Sequence, residues 1–225
     1  MTTLRAICGC ILAACTTIGW AQPNTWTQKN DVGWNGINGP TARQNAVAFS
    51  IGSKGYVGTG YNDQFLRDLW EYDPATNAWS QKADFGGVAR YGAVGFSIGT
   101  KGYVGTGLTT GGVKLSDFWM FDPSMNTWTQ KASVGGGGRY QAVGFSLGSQ
   151  GYVATGSDGT ADKNDLWEYD PGVNIWVQKP DFPGTARDRA TAFTVGSIAY
   201  VGAGADINAT TTNDFWAYDP AQNTW

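Results

Sequence analysis

The chain has 225 residues and a net charge of −3, with 33 Gly, 11 Trp, 10 Tyr, 10 Phe, no His, and only three Cys, at positions 8, 10 and 15. These counts exclude His/Cys zinc centres, Ser-His-Asp triads and Cys-His dyads, and 15 basic against 18 acidic side chains leave no basic surplus for nucleic acid. Rich in Gly and aromatics and only 15% charged, the composition suits an all-β protein of short strands.

Residues 1–21 read as an export address. Arg5 precedes an apolar run from Ala6 to Cys15, and Gly19 and Ala21 supply the small residues that signal cleavage prefers. The run is too short to cross a bilayer as a helix. Two processing routes stay open. Cleavage after Ala21 removes every cysteine, whereas Leu12-Ala13-Ala14-Cys15 resembles a lipobox that would place a lipid anchor on Cys15. A cytosolic chain with an apolar N-terminal strand is the third alternative. Export, to the periplasm, the cell surface or the medium, is the expectation.

From residue 22 onward the chain repeats itself. Trp26, Trp79, Trp128, Trp176 and Trp225 are separated by 53, 49, 48 and 49 residues, and Trp70, Trp119, Trp167 and Trp216 by 49, 48 and 49. An arginine opens each unit: Arg43, Arg90, Arg139 and Arg187. Several independent markers in register define four units.

Each unit divides into four strand-like pieces, shown here on the second. Residues 93–98 alternate Val94, Phe96 and Ile98 with Ala93, Gly95 and Ser97, the period-2 pattern of a strand whose small face is pressed against a neighbour. After the turn Gly99–Gly102, residues 103–107 form a second strand whose glycines permit close backbone approach. A variable loop leads to the third strand, 117–122. The turn Asp122-Pro123…Asn126 then precedes a fourth strand at Trp128: Pro presets φ, and Asn tolerates a left-handed conformation. Four-stranded antiparallel sheets in series, stepping by about 49 residues, predict a β-propeller over residues 22–225.

The phrase Arg…Ala-Val-Gly-Phe…Gly-Tyr-Val-Gly-Thr-Gly…Asp-Phe-Trp…Asp-Pro…Asn-Thr-Trp resembles the kelch repeat over residues 26–225, with Gly-Thr-Gly in place of the usual adjacent Gly-Gly. The resemblance implies a kelch-type propeller like the central domain of galactose oxidases. It does not carry over that enzyme's chemistry, which uses His ligands and a Tyr–Cys crosslink. Kelch-type sialic acid mutarotases are a further relative in kind, yet Glu71 and Glu168 occupy equivalent repeat positions and neither stands out as an acid or base. No cofactor is expected.

Departures from the repeat frame point to function. The connections between second and third strands vary, and the first inter-repeat connection, Lys29 to Arg43, spans fourteen residues where the others span eight, inserting the stretch Val32–Gly39. Up-and-down topology puts both loop types on one face of the disc, the candidate binding surface. Its candidate residues are Trp34, Asn35, Tyr61, Asn62, Asp63, Asp158 and Arg189, with the opening arginines Arg43, Arg90, Arg139 and Arg187. Trp34 either anchors a ligand or plugs the edge of the first blade. The arginines either ring the channel mouth or pair with Asp68, Asp117, Asp165 and Asp214 to tie the blades together. Arg189 is an extra arginine that only the fourth unit has. The oxygen-rich loop Ser157–Asp165 either binds calcium weakly or is an ordinary solvated turn; it lacks EF-hand spacing, which favours the turn.

The expected role is a non-catalytic, exported module that binds a protein or glycan ligand through this face. A carbohydrate-active enzyme, mutarotase-like or oxidase-like, and a structural segment of a larger surface protein are the alternatives. Two endings fit the repeat count: Asn24–Lys29 completes the last blade, or the chain is cut mid-repeat from a larger ring.

Overall fold

The computed structural model describes residues 26–31 and 39–225. The export address, Cys15, Trp34 and Asn35 lie outside the described residues. Three complete blades are present: β1 (Val47–Ile51), β2 (Lys54–Gly58), β3 (Leu69–Asp73) and β4 (Ala78–Lys82); β5 (Val94–Ile98), β6 (Lys101–Gly105), β7 (Phe118–Asp122) and β8 (Thr127–Lys131); β9 (Val143–Leu147), β10 (Gln150–Ala154), β11 (Leu166–Asp170) and β12 (Ile175–Lys179). A fourth blade has β13 (Thr191–Val195), β14 (Ile198–Gly202) and β15 (Phe215–Tyr218), with its outer edge begun by the bridge Asp219–Thr224. All pairings are antiparallel between neighbours in sequence. The expected all-β propeller of four-stranded blades is therefore present, and no helix among the described residues is long and apolar enough to cross a membrane.

The second strand of each blade starts and ends two residues earlier than the sequence suggested. In blade 2 it closes at Gly105 because Thr106 turns to φ 59°, as Thr59 (55°), Thr155 (61°) and Ala203 (53°) do in the other blades. That left-handed turn is costly for a β-branched residue, and it aims the carbonyl at the guanidinium of the opening arginine.

The inner strands β1, β5, β9 and β13 pack successively around the channel, and β13 does not reach β1. The first two junctions set large side chains against glycine, and at the third Ala192 and Ala199 take the equivalent places against Val143 and Phe145. A Cβ on Gly95 would fall 2.8 Å from Val47, and one on Gly144 would fall 2.9 Å from Val94. Phe96 is accordingly 5% exposed, while its counterpart Phe193, on a face no further blade covers among the described residues, is 47% exposed. Within each blade the same phenylalanine stacks on the Tyr opposite: Phe49–Tyr56, Phe96–Tyr103, Phe145–Tyr152 and Phe193–Tyr200 have centroids 5.2–5.9 Å apart.

The outer rim is stitched by the Asp-Pro…Asn…Trp phrase. Asn77, Asn126, Asn174 and Asn223 are all left-handed, as expected from the turn. Asn126 Oδ1 accepts the Ala83 N–H of the preceding repeat, and Asn174 Oδ1 that of Ala132. Trp128 and Trp176 donate back to the carbonyls of the same two residues at 3.1 and 2.9 Å. At the last junction Pro180 replaces Ala; it still accepts from Trp225 but has no N–H to give Asn223. Asn30 plays the same part toward Asn77 and Trp79 of blade 1, while Trp26 is fully exposed.

The four repeated arginines are structural ties. Arg90, Arg139 and Arg187 are fully buried, and the Arg43 side chain is 2% exposed. Each guanidinium grips the aspartate of its own repeat through both nitrogens, as in Arg90–Asp117 at 2.5 and 2.8 Å, and each aspartate also accepts a Trp indole N–H. The same guanidinium bonds the left-handed carbonyl, Thr106 for Arg90 at 2.8 Å. Its main chain meanwhile belongs to the preceding blade: Arg90 N–H donates to Leu66 and its carbonyl accepts from Gly60, a pattern repeated by Arg139 and Arg187. The cationic ring is thus not presented to a ligand. The side chain closes its own repeat, and the backbone does the joining between blades.

Two outcomes follow. Gly144→Val should cost roughly 1–3 kcal/mol by overpacking the junction, whereas Ala48→Val, at the equivalent but exposed site of blade 1, should stay within about 0.5 kcal/mol in urea unfolding. The Arg187 hydrogen bond lowers the Asp214 carboxyl from 3.8 to about 2. A depressed carboxylate stabilises the fold above its unfolded value, and that stability is lost as pH falls through the folded one. The stability difference between the native chain and Asp214→Asn should therefore shrink between about pH 4 and pH 2, measured by thermal unfolding.

Candidate functional site

The variable loops after β2, β6, β10 and β14 and the connections carrying the opening arginines meet at one end of the disc, as expected. One-residue bridges fix them together: Gln44–Tyr61, Tyr91–Leu108, Tyr140–Ser157 and Asp188–Ala205. The residue after each of these bridging positions is left-handed: Asn45 (51°), Gly92 (63°), Gln141 (53°) and Arg189 (53°). Their backbones form a spiral at the channel mouth, Gly92 N–H donating to Asn45, Gln141 to Gly92 and Arg189 to Gln141 at 2.7–3.0 Å. The channel below is lined by these four residues and by Ala46, Ala93, Ala142 and Ala190.

The mouth opens into two unlike cavities. On the side of blades 1 and 2, a cavity of about 350 Å³ is lined by Gln44, Asn45, Tyr61, Phe65, Tyr91 and Gln141. Tyr61, Phe65 and Tyr91 pack on one another with centroids 5.4–6.0 Å apart, two of the three contacts edge to face. On the side of blades 3 and 4, a smaller cavity is walled by Tyr140, Ser157, Asp162, Asp188, Arg189 and Asp206, with Ile207 at its rim. Burial pushes the Asp162 and Asp188 carboxyls above the usual carboxylate range.

Of the candidate residues, Tyr61 and Arg189 line this mouth. Asn62 donates to the Thr41 hydroxyl at 2.9 Å, and Asp63 stands exposed at the loop tip. Asp158 caps its own turn: one carboxylate oxygen accepts from the backbone of Thr160 and Ala161 and from the Thr160 hydroxyl, and the other faces Lys163 at 3.1 Å. Those bonds occupy the oxygens that a cation would need, in keeping with an ordinary turn. Arg43, Arg90, Arg139 and Arg187 are in the ties described above.

Tyr91, Tyr140, Gln141, Asp162 and Asp188 are at the site without having been singled out from sequence. A signal was present for most of them. The two residues after each opening arginine read Gln-Asn, Tyr-Gly, Tyr-Gln and Asp-Arg, a variable pair inside a nearly constant frame. Only Arg189 was taken from that column.

Comparisons with known proteins agree with this architecture. The solved chain titled "Structure of YjhT" superposes with a TM-score of 0.71 at 17% sequence identity, covering 81% of this chain and 64% of that one. At that identity the likeness concerns the fold, and this chain spans under two thirds of that protein's length. No curated protein sequence matches. The sequence profile described as the KLHDC2/KLHL20/DRC7 Kelch-repeats domain matches residues 85–225, more than half of the chain. With the repeat phrase, the buried arginine ties and the blade topology in agreement with that match, the chain belongs to the kelch-repeat family.

Proposed function

We propose that this chain is an exported, non-catalytic binding module that holds a protein ligand across the loop face, over the channel mouth. The observation that carries the reading is the aromatic cavity built by Tyr61, Phe65 and Tyr91 from two blades, open on the same face as the variable loops. Aromatic side chains that are held rigidly and partly open are the usual anchors of protein recognition. A protein segment suits it better than a glycan, because the three rings are inclined to one another and form a recess, not a flat platform for a sugar. The kelch match supports the protein-interaction role in general terms. The two glutamates support the non-catalytic part, being held by structural partners: Glu71 by Tyr56 and Lys82, Glu168 by Tyr152 and Lys179.

One observation favours the second reading, a carbohydrate-active enzyme: the raised carboxyls of Asp162 and Asp188 lie in one cavity. Selection of displayed peptides on the immobilised protein, run beside a glycan array, separates the readings. The expected result is an enriched peptide consensus whose affinity falls at least about tenfold in Tyr61→Ala, a loss of ~1.4 kcal/mol, with the thermal midpoint retained. Glycan binding without any enriched peptide, sugar turnover by the isolated chain, or peptide affinity unchanged in Tyr61→Ala would overturn it.

A further inference from the structure

The cavity between blades 3 and 4, about 200 Å³ in volume, differs from the rest of the molecule in how its charges are satisfied. Asp188 is 6% exposed. The Gln141 amide, oriented to suit its neighbours, donates to Asp188 Oδ2 at 2.8 Å, while Oδ1 accepts no hydrogen bond. Arg189 approaches that oxygen only to 3.4 Å, and its side chain is 58% exposed. Asp162 is less satisfied still. Both of its carboxylate oxygens are shielded from solvent and short of donors, with the Ser157 hydroxyl as a weak partner, and among the described residues no Lys or Arg nitrogen lies within ion-pair distance.

The neighbouring acidic groups are not in this condition. Asp206 accepts from the backbone of Asn208 and Thr210, and Asp158 is held by its own turn and by Lys163. Nor are the carboxylates of the arginine ties, each of which receives a guanidinium and an indole N–H. A shielded carboxylate short of donors is costly; inside the fold it is offset only in part, at Asp162 by the Ser157 hydroxyl and at Asp188 Oδ1 by the long contact with Arg189.

We infer that this cavity receives one protonated nitrogen group on an apolar stem, a lysine or arginine side chain of the protein ligand, with Asp162 and Asp188 as its acceptors. The inference rests on the reading of the loop face as a protein-binding surface and gives that surface a specificity. Charge favours it. Around the cavity stand the carboxylates of Asp158, Asp162, Asp188 and Asp206 against Lys163, Arg189 and Lys114, whose side chain reaches Gly159. The walls favour it as well: the Tyr140 ring, Ile207 and Ala209 offer a path for methylenes and an aromatic ring beside a cation. Size favours it last, since this volume fits one side chain and not a sugar chain.

The test is an isothermal or NMR titration of the whole chain with N-acetyl-lysine methyl ester, N-acetyl-arginine methyl ester and the uncharged N-acetyl-norleucine methyl ester, with methyl glucoside as a hydroxyl donor. The basic esters should bind saturably at millimolar concentrations and the norleucine ester at least tenfold more weakly. Asp188→Asn and Asp162→Asn should each weaken the basic esters about tenfold. Neither variant should lose thermal stability, because each removes a shielded, poorly satisfied charge. Equal binding of the norleucine ester, preferential binding of the glucoside, or undiminished affinity in both variants would overturn the inference. If the inference fails while Tyr61→Ala still abolishes peptide binding, the binding face stands and only its cation specificity is lost. Failure of both removes the face itself.

Discussion

The buried arginine–aspartate pair is the constraint on which the rest of the structure depends. Its guanidinium joins three parts of one repeat: the carbonyl after the second strand, the aspartate before the third, and through that aspartate the indole of the following Trp. In Arg90, Arg139 and Arg187 the N–H donates to the loop of the preceding blade and the carbonyl accepts from it. One residue therefore closes a blade and docks it. Removing one partner of such a pair leaves a charge in a site that cannot hydrate it, which costs roughly 3–5 kcal/mol. A left-handed Thr with an unpartnered hydroxyl persists in three blades because this pair holds its carbonyl in place.

The tie also creates the candidate site. With the arginine fixed between two blades, the next two residues are carried to the channel mouth, the first in a bridge to the variable loop and the second in a left-handed turn. These side chains do no structural work common to all four repeats, so they are free to differ. The outcome is a mouth whose two sides differ chemically: aromatic where blades 1 and 2 meet, acidic where blades 3 and 4 meet. A ligand with one apolar anchor and one basic group would span both.

Much of this was legible in the sequence. The spacing of Trp70, Trp119, Trp167 and Trp216 and the alternation of Val94, Phe96 and Ile98 with Gly95 indicated blades with one large and one small face. The structure packs them in that way. The Asp-Pro…Asn phrase was readable as a turn, but not as a stitch between blades, because its partners lie more than 40 residues away. The early end of the second strand was hidden for a similar reason: Thr106 leaves the ladder to meet an arginine that local propensity does not see. The arginines allowed two readings from sequence, since a residue present in every repeat could face the channel or the frame; burial decides between them. Asp162 and Asp188 were not legible as a pair, because what sets them apart is the shortage of donors in a cavity formed from several separate segments. Tyr91 and Tyr140 lay in a column whose variability was visible but was read only at Arg189.

Two arginines separated by a single residue test the account most directly, because it gives them opposite parts. Arg187 repeats in every unit and is fully buried, whereas Arg189 occurs in one unit and is largely exposed. Equilibrium urea unfolding of Arg187→Ala and Arg189→Ala should show a loss of about 3 kcal/mol or more for the first and of at most about 1 kcal/mol for the second, whose exposed side chain makes only the long contact with Asp188. Comparable losses in the two variants, or a larger loss at Arg189, would contradict the division between frame and binding surface.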